Sequence, residues 1–394
     1  MLHDRVNSID TTKGLAIIFI VILNFIYFSY TPLWLAEPGD HGLHSVLGAI
    51  IYPLFIFLAG ATVPFSITGK LNEGNGKYDI SRVILAKALI LITVGVLLVN
   101  TTRVNSELTG INEYLWSILL VAALFMVWNK YADKENNFFT TTFFRLVGLT
   151  ILVILVFKFK SSSFENNGSL VPGWWELPGL AGWAFLIASL AFLFLRNSLT
   201  GTLVILVIFL GLNIADNSGY LKILDPVRPY FGVVTSGFIP VIGLSGLLAG
   251  NLIRKLHDNR SSLLAALAAT GLLMIIAGLL TRGYFHGSSI YGNPAWALIA
   301  SGAAMVFFTL VYLLDEVLGL FRNVTFIRTT GKNMTTVYVL ALLLNNLAAI
   351  TGVNLAAFSS NTGTLLVLLV AIAWAALAIG LMFVLKRFGM GLKL

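Results

Sequence analysis

Of the 394 residues, 58% are hydrophobic and 11% are charged, with a mean hydropathy of +0.90, whereas soluble domains carry about 25% charged residues. Cysteine is absent, which excludes disulfides, thiolate metal sites and a cysteine nucleophile. The formal charge of +8 invites a nucleic-acid partner, but the cations lie between apolar stretches of membrane-crossing length, which leave no room for a sizeable soluble domain.

Those stretches predict twelve spans (ten to twelve, because the break at Arg196-Asn197-Ser198 is short), near 15–30, 45–68, 83–100, 114–128, 143–158, 178–196, 199–215, 233–253, 262–281, 294–318, 333–350 and 363–385. The expected fold is an all-α, polytopic, integral membrane helical bundle, with residues 1–394 forming one domain. The first span follows Lys13, carries Asn24 and Tyr27 and lacks a small-residue cleavage site, so it is read as a retained helix. With a cytoplasmic N-terminus, 19 of the 25 Lys and Arg fall on the cytoplasmic side and six, Arg103, Lys158, Lys160, Lys222, Arg228 and Arg282, fall opposite. This positive-inside asymmetry places both termini in the cytoplasm. The basic balance reports topology and no nucleic-acid partner.

Polar residues stand out against this background, in chain order. The run Arg5-Val6-Asn7-Ser8-Ile9-Asp10-Thr11-Thr12-Lys13-Gly14 opens the first span. Ser8 or Asp10 can cap a helix there, with Arg5 and Lys13 anchoring it to headgroups. A helix start between two cations also suits an anionic cofactor. Asn24 sits mid-span, where an amide needs a partner or a function. His41 and His44 lie in or next to the outer loop 31–44, beside Asp40. Their ordinary pKa of about 6.5 suits acid–base work. A metal could bind there too, but with no further ligand cluster none is expected.

The pairs Trp174-Trp175 and Trp183 suit an interfacial belt. Asn213 and Asn345-Asn346 pose the same question as Asn24, with interhelical hydrogen bonding as the plain answer. Asp225-Pro226 reads as a turn and helix cap, or as a carboxylate for a histidine or a substrate amine. His257 reads as a solvated loop residue. His286 lies in the outer loop 282–293, just before Asn293-Pro294. Thr330-Gly331-Lys332-Asn333 repeats the basic, helix-opening pattern on the cytoplasmic side.

Taken in order, these blocks resemble the heparan-α-glucosaminide N-acetyltransferase family, in its bacterial DUF5009-type branch. The run Arg5-x-x-Ser8-x-Asp10-x-x-Lys13-Gly14 with Asn24 is similar to the family's start. Ile51-Tyr52-Pro53-Leu54-Phe55 follows the histidine loop, and Gly173-Trp174-Trp175-Glu176-Leu177-Pro178 comes later. Asp225-Pro226, Asn293-Pro294-Ala295-Trp296 and Gly331-Lys332-Asn333 with Tyr338 complete the series. The resemblance covers almost the whole chain.

It implies an acetyltransferase of the bacterial cytoplasmic membrane that uses cytoplasmic acetyl-CoA to acetylate a glucosamine-type amino sugar on the other side. Carried over, His41 is catalytic with His44 as the second choice, and Asn24 lies beside it. Arg5, Ser8, Asp10, Lys13, Lys332, Asn333 and Tyr338 belong near acetyl-CoA. Asp225, His286 and Asn293 are the expected substrate-binding residues. The expected partners are acetyl-CoA, the acceptor sugar, membrane lipids and a second copy of the chain in a homodimer. Two departures stand out: Lys13 occupies a position where the family usually has Arg, and apolar residues around Ala49 replace an expected Asp. The competing reading, from another class, is an amino-sugar transporter without acyl transfer.

Overall fold

The computed structural model describes residues 6–26, 43–129, 131, 138–162, 168–172, 176–285, 292–353, 355 and 364–392. The helices, in order, are α1 (Asn7–Ile26), α2 (Leu43–Ala61), α3 (Val63–Asn72), α4 (Lys77–Val99), α5 (Glu113–Trp128), α6 (Phe138–Lys158), α7 (Glu176–Leu195), α8 (Leu199–Asn217), α9 (Arg228–Thr235), α10 (Phe238–Leu256), α11 (Arg260–Thr281), α12 (Pro294–Tyr312), α13 (Thr325–Lys332), α14 (Met334–Ile350) and α15 (Thr364–Arg387). Only helices satisfy every backbone polar group within one segment in lipid. The protein is accordingly a polytopic, all-helical membrane bundle.

Ten helical segments are long and apolar enough to cross a bilayer, or up to 11 if α13 and α14 count as one broken span. The shorter apolar helix α5 accounts for the remaining predicted span. Every predicted span therefore has a helix among the described residues, but boundaries moved. The first helix begins at Asn7 and not near 15, because its polar opening turns are buried by the protein and not exposed at the membrane surface. The predicted span 45–68 is broken at Thr62, one residue before α3 begins with Pro64 in its first turn. Proline supplies no N–H. Thr62 Oγ1 donates back to the carbonyls of Leu58 and Ala59, at 3.2 and 3.0 Å.

The contacts divide the chain into two compact units. The first comprises residues 1–16, 33–92 and 177–331. Its axis is α10, in which every residue from Phe238 to Ile253 is buried. Tight packing there depends on absent side chains. A Cβ on Gly60 would collide with the Gly243 carbonyl, and one on Gly246 with the Phe57 carbonyl. Gly302 and Gly271 bring α11 and α12 together in the same way. Small residues let helices approach where lipid provides no hydrophobic drive for association.

The second unit comprises residues 17–32, 93–176 and 332–394. Trp116 is fully buried, sits 5.8 Å edge-on to Phe159 and donates to the Leu155 carbonyl. Trp374 packs at a tilt, 5.5 Å between ring centres, against Phe25 and donates to Asn345 Oδ1 at 2.8 Å. Asn345 thus makes the interhelical bond that a buried amide needs. Asn346 bonds its own helix, at the Leu342 carbonyl.

Candidate functional site

The densest polar constellation in the first unit lies at the N-terminal end of α1. After α12, residues Leu313–Val317 form one π-helical turn. Such a turn inserts an extra residue and is frequent at functional sites. Here it directs two consecutive acids at α1. Asp315, fully buried at its side chain, accepts from Thr11 Oγ1 at 2.5 Å and from Arg328 Nη2 at 2.5 Å. Glu316 accepts from the Ser8 backbone N–H at 3.0 Å, and its own carbonyl accepts from Arg260 at 3.1 Å.

Backbone contact holds this arrangement. Gly331 of α13 lies against the Asp10 carbonyl, and Gly14 lies against the Ile327 carbonyl, each too close for a Cβ. Thr12 Oγ1 donates to the Ser8 carbonyl at 2.6 Å. Ser8 is fully buried and its hydroxyl does not cap the helix. The opening N–H of α1 is satisfied instead by a side chain 308 residues away in sequence. That carboxylate stands where an anionic ligand of a helix N-terminus would bind. Asp10 is buried and Lys13 half-buried.

Several of the other expected residues cannot be placed with this cluster. Arg5, His41 and His286 lie outside the described residues, as does the His44 side chain, whose backbone opens α2. Asn24 is half-buried near the end of α1. Lys332 and Asn333 mark the break between α13 and α14. In the second unit, the buried Tyr338 hydroxyl donates to the Glu176 carboxylate, and Glu176 has a φ of 52°. A non-glycine residue there stores strain, which persists where the surroundings enforce it.

The cap expected of Asp225 is corrected by a competing partner. Asp225 does not cap α9, whose N-cap is Val227 without a side-chain bond. It sits inside a 3-10 turn and accepts from Arg228 Nε at 3.0 Å, while the same guanidinium grips Asp216 at 2.7 and 3.1 Å. Asn293 caps α12 by accepting from the Trp296 N–H at 2.8 Å. Asn213, fully buried, donates to the carbonyls of Ser236 and Gly292 and ties three segments together. His257 is exposed beside Asp258, as a loop residue should be. Among the described residues, no group of three or more His, Asp and Glu is arranged to hold a metal.

Sequence reasoning gave Thr11, Asp315, Glu316 and Arg328 no role in a site. The available signal was an acidic pair closing an apolar span, which is costly in lipid without a partner.

A family model described as a domain of unknown function, DUF5009, matches residues 5–214, more than half of the chain. The chain belongs to this family. It is also similar to two curated proteins named heparan-alpha-glucosaminide N-acetyltransferase. The human protein is 29% identical over 100 residues, covering 25% of this chain and 14% of the relative. The mouse protein is 29% identical over 98 residues, with the same shares. The matched region is therefore a small part of each relative's length. Within the family match fall α1, the histidine loop and α2 through α7, whereas Asp315 and Arg328 lie beyond it.

Proposed function

We propose that this protein is a membrane-embedded acetyltransferase that moves an acetyl group from acetyl-CoA to an amino sugar across the membrane. The observation that carries the reading is the family match over residues 5–214, joined by likeness to proteins named as N-acetyltransferases. That region contains Asn24, His41 and His44. The charge asymmetry supports cytoplasmic termini and a cytoplasmic donor side, which in the bacterial branch means the cytoplasmic membrane.

In this reading His41, with His44 as second choice, accepts the proton released as the sugar nitrogen bonds to the acetyl carbon. The carbon–sulfur bond breaks in the same addition–elimination, and the thiolate leaves with CoA. Asn24 orients the imidazole or the acetyl oxygen. The cluster around Asp315 fixes the first turns of α1.

The test is transfer of labelled acetyl from acetyl-CoA to glucosamine by the purified full chain in proteoliposomes. Turnover is expected in wild type. His41→Ala should lower it by roughly 10²–10⁴-fold, with Asn24→Ala losing less. Uptake of labelled glucosamine without acetyl-CoA, and no acetylated product, would replace this reading with the transporter. Wild-type turnover in both His41→Ala and His44→Ala would sink the histidine mechanism.

A further inference from the structure

We propose that Arg254 is the anchor of a phosphate-binding site, taking the phosphate of a lipid headgroup or of a soluble phosphate compound. Arg254 is the first residue of α10 to emerge after sixteen consecutive buried positions, Phe238–Ile253. A side chain at that point lies where a buried transmembrane helix meets the headgroup region.

Its guanidinium is held from three directions, all within the first unit. Nη1 donates to the Pro64 carbonyl at 3.3 Å and also to Thr68 Oγ1. These acceptors sit one turn apart on α3. The buried ring of Phe192, from α7, lies 6.0 Å from the guanidinium carbon. Every one of these partners is uncharged. Among the described residues, no carboxylate lies within ion-pair distance of Arg254. Two other arginines packed into this unit have carboxylate partners: Arg328 is balanced by Asp315 and Arg228 by Asp216.

A half-buried cation without a counter-charge is costly, and this one is also fixed in place. Nη1 is engaged, which leaves Nη2 and Nε as a two-donor edge. That fork geometry matches two oxygens of a phosphate. The break at Thr62 and Pro64 gives the edge its position, since it starts α3 where Arg254 can reach a carbonyl and a hydroxyl one turn apart. The carboxylate of Asp258, in the following turn, is occupied by His257 at 3.0 Å.

The proposal does not rest on the acyltransferase reading, because a lipid phosphate alone would satisfy it. The test uses the delipidated full chain in detergent, with thermal unfolding followed by its eight tryptophans. Phosphatidylglycerol, CoA and pyrophosphate are titrated separately. At least one should raise the wild-type midpoint saturably, as a ligand of the folded state must. Arg254→Gln should raise the dissociation constant of that probe on the order of tenfold or more, and Arg254→Lys by several-fold, because lysine keeps charge and loses the fork. Thr68→Val, which keeps the arginine but frees its edge, should weaken binding by less. Arg82→Gln, at an exposed cation on α4, should leave it unchanged.

A response to phosphatidylglycerol alone assigns a lipid headgroup, and a response to CoA or pyrophosphate assigns a soluble phosphate. No saturable response in wild type overturns the proposal, as does an equal dissociation constant in wild type and Arg254→Gln. If Arg254→Gln fails to fold, unchanged binding in both Arg254→Lys and Thr68→Val overturns it. Acetyl transfer is read separately, so failure here leaves that reading standing.

Discussion

Arg328 and Arg254 belong to the same unit, and both sit near helix ends, yet they meet opposite surroundings. Arg328 is 17% exposed and shares Asp315 with Thr11, so that its charge is met by a buried carboxylate. Arg254 is held by a carbonyl, a hydroxyl and an aromatic ring. In the first arrangement the Nε–Nη2 edge of the guanidinium is taken by Thr11 and Asp315. The second keeps a rigid cation whose remaining donors need an acceptor from outside the described residues. The difference teaches that charge near the membrane surface has two distinct uses here. One locks α1 to α13 and the π turn, and the other presents a fork.

The comparison breaks most visibly at Arg328. Arg328→Ala leaves Asp315 buried without its cation, and removing one partner of a buried pair costs about 3–5 kcal/mol. A large drop in the thermal midpoint is expected, with much of it recovered in Asp315→Asn/Arg328→Gln, where no charge remains. Equal midpoints in single and double variants would show that the two charges are not coupled.

Gly331→Ala probes the same cluster through backbone packing, since its Cβ would press on the Asp10 carbonyl. Overpacking of this kind costs about 1–3 kcal/mol. The thermal midpoint should fall by several degrees, and an unchanged midpoint would show that α13 can move off α1 without cost.

The smallest effect on stability is expected at Arg254. Arg254→Gln loses a ring contact and bonds to neutral acceptors, about 1 kcal/mol in all, and it relieves a charge without a partner. A drop as large as that of Arg328→Ala would mean that both arginines serve the fold, and would erase the distinction.

Much of the architecture was legible in advance. Runs of apolar residues announced the long spans from Asn7–Ile26 to Thr364–Arg387, because crossing a bilayer imposes a minimum apolar length on each segment separately. Buried amides announced their need for partners, and Asn213 and Asn345 found them. The opening run of α1 was recognised as special, but its role was not. Ser8 read as a cap, whereas the cap is Glu316, and the carboxylate that holds Thr11 is 304 residues away in sequence. Asp225 likewise read as a cap until Arg228, three residues on, proved to be the stronger partner.

By itself the sequence determined the class of the protein, the order of its apolar spans and the family to which residues 5–214 belong. These follow from local hydropathy and from short motifs read along the chain. Only the tertiary structure decided which charges cancel and which remain. Electrostatic partners are chosen by distance in space, and a π turn after α12 and a break before α3 set those distances for Asp315 and Arg254.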